Sequence, residues 1–285
     1  LNQATNSTVR GLQLDQHRLQ FERIANWLSP TNFAAQQVDI ISRRVNQTGQ
    51  WFLESDKFND WLHGKNTTLF CPGIPGAGKT MLAAITIDYL AKMEASERTG
   101  LTYLYCNYKS QRDINASTLL GAILKQLVQS QPTIDEQISS LYEQYTRFGT
   151  KPSFQKLSTA LKAVLKKFLT VYVVIDALDE CPSRDGICNQ LLAELRHLQR
   201  ETDLRLMATS RHIPEIENEF RSMSMVEIRA TNADVSQYVR DQIHRLPRCI
   251  RRDSSLQEQV VNQVSEAVDG MSVNCFHLFR LFLHI

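Results

Sequence analysis

Apolar residues recur along this chain at two different periods, and the alternation between them outlines the architecture. Residues 13–28 (QLDQHRLQFERIANWL) carry Leu14, Phe21, Ile24 and Leu28, and steps of seven, three and four positions share one helix face. Ser29-Pro30 ends that pattern. A second helix is expected after Ser55, where Phe58, Trp61 and Leu62 follow a hydroxyl residue able to cap the first turn. Beyond it, unbroken apolar runs alternate with helical patterns. TTLFC (67–71), LTYLYC (101–106), VYVVID (171–176) and LRLMATS (204–210) read as strands, and MVEIRA (225–230) as a weaker one. The unbroken run in VYVVID is that of a strand buried on both faces. MLAAITIDYLAKM, NASTLLGAILKQLVQ, FQKLSTALKAVLKKFL and NQLLAELRHLQ read as helices, the second capped by Asn115 or Ser117. DVSQYVRDQI and LQEQVVNQVSEAV read as two closing helices. This order predicts an α/β fold: a parallel sheet of about five strands flanked by helices, with a smaller helical segment at the C-terminus.

The link between the first strand and its helix carries the clearest chemistry. Gly73-Ile74-Pro75-Gly76-Ala77-Gly78-Lys79-Thr80 fits G-x-x-x-x-G-K-[ST], with a strand before it and a helix, entered through Met81, after it. Successive backbone N–H groups in such a loop curl around a phosphate, and small residues let the backbone approach closely. The helix start adds unsatisfied N–H groups and the positive end of its dipole. Lys79 supplies a charge for the terminal phosphates, and Thr80 a hydroxyl for Mg²⁺. The fold is therefore expected to be that of a P-loop NTPase. Its phosphate-binding domain should span 51–230, between a helical lead-in over 1–50 and an incomplete helical subdomain over 231–285.

A phosphate loop needs an acid at the end of a neighbouring strand to orient the metal. Asp176, emerging from VYVVID, is expected to do so, and Ala177 leaves room for the ion's water shell. Asp179 and Glu180 follow closely, and at least one of them is expected to orient or deprotonate the attacking water. LRLMATS ends in Thr209-Ser210-Arg211, which should bring Arg211 near the γ-phosphate. No N-K-x-D occurs, so ATP is favoured over GTP.

Together these residues resemble a NACHT domain of the signal-transducing P-loop ATPases. The similarity is strongest to fungal NOD-like receptors, including vegetative-incompatibility and ankyrin- or WD-repeat proteins, and to the nephrocystin-like N-terminal class. It rests on NWLSP, GQWFLESDKFNDWL, LFCPGIPGAGKT, the Asp176-Ala177-x-Asp179 pattern and ATSRHIPEI. The resemblance implies a sheet in which the 204–210 strand lies between the P-loop strand and the Asp176 strand. It also implies a nucleotide switch with weak NTPase activity. Partners would be nucleotide, and further copies or other signalling proteins reached through flanking domains. The closing SVNCFHLFRLFLHI departs from the family pattern. The alternative reading is an interaction scaffold that binds nucleotide without significant hydrolysis.

Composition adds exclusions. Net charge is +2 and charged residues are 22% of the chain, which gives no track for nucleic acid. No stretch is long and apolar enough to span a membrane. Six cysteines include no C-x-x-C pair, and Cys71 and Cys106, each closing an apolar run, are expected to be buried free thiols. A reducing, cytoplasmic setting is expected. The chain begins at Leu1, and the expectation is a piece of a longer protein.

Overall fold

The computed structural model describes residues 18–93, 98–107, 115–181 and 186–267. The start of the first predicted helix (13–17) and the closing segment from residue 268 lie outside the described residues.

The lead-in comprises helices α1 (18–28), α2 (Phe33–Ile41), α3 (Gln50–Leu53) and α4 (Asp56–His63). Ser55 caps α4 as its position predicts, its side chain accepting the Phe58 N–H. Helix α2 was not legible from periodicity, because its Val38 is largely exposed while Gln37 is buried. Lead-in residues Ile24, Leu28, Phe33, Phe52 and Phe58 all belong to the main core. Two close fits hold this region. Lys125 Nζ donates to the Ser29 and Thr31 carbonyls at the end of α1, and a Cβ at Gly121 would lie 2.5 Å from the Leu28 carbonyl oxygen.

Strands β1 (Thr68–Pro72), β2 (Thr99–Tyr105), β3 (Thr170–Asp176), β4 (Leu204–Ser210) and β5 (Ser224–Met225) form one sheet, in the order β2-β3-β4-β1-β5. All pairings are parallel. β4 thus separates β1 from β3, the arrangement the resemblance implied. Helices α5 (Lys79–Lys92), α6 (Ala116–Gln129), α7 (Glu136–Arg147), α8 (Phe154–Leu165), α9 (Ile187–Gln199) and α10 (Pro214–Glu219) accompany the strands. Asn115 caps α6 in a capping box with Thr118. At the β2 edge, the Gln126 side chain bonds both the N–H and the carbonyl of Tyr103, occupying backbone groups that another strand could otherwise pair with.

The predicted strand over 225–230 is corrected. Only Ser224–Met225 form a strand, although Val226 and Ile228 still donate to the Phe70 and Pro72 carbonyls. An edge segment paired on one side needs few residues in strand conformation to hold its place. Cys71 is fully buried as expected, whereas Cys106 is only half-buried.

After residue 230 the chain forms α11 (Asn232–Gln242), α12 (Arg248–Arg252) and α13 (Ser254–Ala267). These helices pack around their own small core of Val235, Val239, Leu246, Val260, Val261 and Val264. Among the described residues, no helix is long and apolar enough to cross a membrane.

Candidate functional site

The chain leaves β1 toward β2 at one edge and leaves β4 toward β5 at the other. Ligands of open parallel sheets bind where such connections diverge, beyond the carboxyl ends of the strands. The predicted residues collect there. Pro75, Gly76, Gly78, Lys79, Thr80 and Met81 line one wall of a cleft of about 270 Å³, and Asp176, Asp179, Glu180 and Arg211 line the other. Gly73, Ile74 and Ala77 do not line it: the first two hold Lys79 through their carbonyls, and Ala77 lines a neighbouring cavity.

Loop geometry explains the residue types. Gly76 and Gly78 have φ of 77° and 93°, a region in which side chains other than hydrogen are strained. Gly73 is required for space, since a Cβ there would lie 2.5 Å from the Ile228 carbonyl oxygen. No side chain caps the start of α5, so its first N–H groups are directed at the cleft without a local acceptor. Lys79 Nζ donates to the carbonyls of Gly73 (2.7 Å) and Ile74 (2.9 Å). Burial pushes the Lys79 pKa down, Asp179 and Asp176 oppose this, and Arg211 adds to it.

Opposite the loop, Asp176 is 3% exposed. Burial raises its pKa, against hydrogen bonds from Thr209 and Thr80 and the charge of Lys79, which favour the carboxylate. Thr209 was not assigned a role from sequence. Its hydroxyl donates to Asp176 Oδ1 at 2.6 Å and accepts the Ala177 N–H at 2.9 Å. Ala177 adopts a left-handed conformation, φ 56° and ψ 56°, which costs energy for a residue with a Cβ. That kink starts the short 3-10 turn Leu178–Glu180 and turns Asp179 back toward the cleft. Asp179, its side chain 5% exposed, accepts the Arg211 backbone N–H at 3.0 Å and pairs with Arg211 Nε at 3.1 Å. Arg211 also reaches Glu180 at 3.5 Å.

The oxygen donors of Thr80 and Asp176 suit a hard cation such as Mg²⁺. Among the described residues no group of three or more His, Cys, Asp or Glu could hold a metal ion by itself. Cysteine chemistry is a poor fit here. The Cys181 thiol, beside Glu180, is pushed up to about 12, chiefly by its contact with the Cys106 thiol, so it stays protonated at neutral pH.

A second cavity of about 320 Å³ adjoins the loop, sharing Ala77, Gly78 and Met81, and no sequence motif announced it. Its other walls are the lead-in segment from Arg43 to Trp51 and the start of the helical unit, including Asp234, Val235 and Tyr238. Asp234 joins those two walls: Oδ1 accepts the Gly49 N–H at 2.9 Å, and Oδ2 accepts the Trp51 indole N–H at 2.8 Å. Its partners lie 185 and 183 positions away, beyond the reach of any local pattern.

Sheet order, phosphate loop and opposing carboxylates define a P-loop NTPase fold. The chain belongs to the nephrocystin 3, N-terminal family, whose family model matches residues 47–211. It is also similar to the vegetative incompatibility protein HET-E-1 of Podospora anserina, with 26% identity over 236 residues. That match covers 77% of this chain but 17% of the relative, so this chain corresponds to a small part of it. Both matches bear out the NACHT resemblance drawn from the motifs. Among solved structures, the chain is similar in fold to the Aeropyrum pernix ORC1 protein, solved in complex with DNA, at a TM-score of 0.53 and 14% identity, covering 85% of this chain and 60% of that one. A Walker-type ATPase of Pyrococcus abyssi gives 0.51 and 14% identity, covering 82% and 68%.

Proposed function

We propose that this chain is the nucleotide-binding switch module of a larger signalling protein of the fungal NOD-like receptor type. It binds ATP, with GTP as the alternative, and hydrolyses it slowly. The observation that carries this reading is the single cleft in which Lys79 and the uncapped start of α5 face Asp176 and Asp179.

Each residue has a distinct task in it. The loop N–H groups and Lys79 bind the phosphate chain, for which Lys79 exchanges its two carbonyl partners for phosphate oxygens. Thr80 and Asp176 hold Mg²⁺, which supplies positive charge to the phosphate oxygens. Thr209 keeps Asp176 in one orientation. Asp179 or Glu180 accepts a proton from the attacking water, and Arg211 responds to the γ-phosphate from the neighbouring position. The cavity beside the loop takes the base, its apolar walls matching the faces of a purine. Triphosphate and diphosphate would shift the module between two arrangements only through their different affinities for each. Contacts with Arg211, Asp179 and Glu180 are where that difference arises.

Further copies or other signalling proteins are the expected partners, through domains flanking this segment, in a cytoplasmic setting. One structural neighbour was solved with DNA, but a net charge of +2 gives this chain little of the cationic surface that duplex binding requires. The test uses two variants. Lys79→Ala is expected to abolish binding of Mg·ATP in titration calorimetry. Asp179→Asn combined with Glu180→Gln is expected to retain binding and to stop phosphate release. A wild type that binds ATP yet releases no more phosphate than the double amide would establish the scaffold reading instead.

A further inference from the structure

The cavity beside the phosphate loop is assembled from segments with little reason to stay together. Its lead-in wall, 43–51, is mostly turn and one four-residue helix. Its far wall belongs to the helical unit, whose apolar residues are largely spent on its own core. Asp234 joins the two. Its place is set from behind, because Thr231 caps α11 and accepts the Asp234 N–H at 3.1 Å. Its targets are fixed from in front. Gly49 sits at φ 74°, and a Cβ there would come within 2.7 Å of Leu82 and 2.8 Å of Ile85, so the turn lies directly against α5. Both carboxylate oxygens are engaged, one on the Gly49 N–H and one on the Trp51 indole, and charge-assisted hydrogen bonds of this kind are among the stronger ones.

Taking the cavity as the base subsite of the proposed function, we propose that Asp234 is a positioning residue for the nucleobase. By clamping Gly49 and Trp51 to the start of α11, it closes the base wall and makes affinity for the base depend on the helical unit. Affinity for the phosphates does not depend on it, since none of the residues lining the phosphate cleft is bonded to Asp234. The helical unit thereby registers whether a whole nucleotide, and not merely a polyphosphate, is bound.

Comparing Mg·ATP with Mg·tripolyphosphate separates the two contributions, because tripolyphosphate offers the phosphate loop the same chemistry without a base. Calorimetric titration of the full chain is expected to show Asp234→Ala weakening ATP binding by about tenfold or more, the scale of losing charged hydrogen bonds. Tripolyphosphate affinity should stay within about twofold, which also reports that the variant is folded. Trp51→Phe, which removes one of the two bonds, should fall between wild type and Asp234→Ala. It carries the test if Asp234→Ala does not fold. Equal losses for both ligands, or no loss for either, would overturn the inference and leave the phosphate-site reading standing. A wild type that binds neither ligand would overturn both.

Discussion

The sheet-centred body and the helical unit that follows residue 230 are built on very different reserves. The body's core holds Phe52, Phe58, Trp61, Phe70 and Phe220 fully buried, together with the interiors of its central strands. It also carries buried polar groups, among them Asp176, Lys125 and Arg205. The helical unit is held by five valines and one leucine. It contains no buried polar side chain among its described residues. Burying a carboxylate is costly, so it occurs where surrounding apolar area can offset it. The small unit has no such surplus, and its buried apolar residues pack on one another. The body thus has the apolar reserve to keep buried charge in place, whereas the helical unit is packed on a small core of its own.

This contrast can be broken in order of expected effect. Phe70 stacks on Phe220 with ring centroids 4.4 Å apart and 4° between the planes. Phe70→Ala should cost about 3–5 kcal/mol, lowering the urea midpoint of the whole body. If only a local segment loosens, the body is less cooperative than its continuous core implies. In the helical unit, Val261→Ala should cost about 2 kcal/mol, from two lost methyl groups and the cavity they leave. Amide exchange should then quicken in α11 and α13 and remain slow in β3 and β4. Exchange that quickens equally in the strands would show that the two regions unfold as one.

The third and smallest effect has the opposite sign. Burial holds the folded pKa of Asp176 above the usual carboxylate value. The folded state therefore keeps its proton more tightly than the unfolded chain does, and stability falls as pH rises from the ordinary carboxylate range through the raised value. Asp176→Asn removes that ionisation. It should raise the urea midpoint near pH 7, by less than either truncation lowers it, and the gain should shrink as pH falls toward the ordinary carboxylate range. A gain that persists unchanged in acid would place its origin outside this carboxylate.

Much of the body was legible because local rules and tertiary structure agree there. β4 has the bounds its apolar run predicts, β1, β2 and β3 match within two residues, and Ser55 and Asn115 cap as their positions suggest. Elements were missed where burial is sparse or reversed. α7 buries only Ile138, and α10 buries nothing. In the candidate site, the residues within the three short motifs could be found because each motif closes a strand or opens a helix. Thr209 was visible within its motif, but its hydrogen bond to Asp176 follows from the order of strands, which spacing alone does not give. Asp234 lies further out of reach, because it acts on residues from the opposite end of the domain.

The end of β4 has a consequence for how such a site can change. Its final residues and the one after it each meet a different part of the machinery. Thr209 holds Asp176, the Ser210 carbonyl accepts the Gly73 N–H, and Arg211 engages Asp179 and Glu180. Side chains on a strand alternate between faces, so adding or removing one residue before the tip would turn the Thr209 side chain away from Asp176 and put the Ser210 carbonyl and Arg211 out of register with their partners. Substitutions at the tip can be tried singly. A change in its length cannot, because Thr209, Ser210 and Arg211 would leave their partners together.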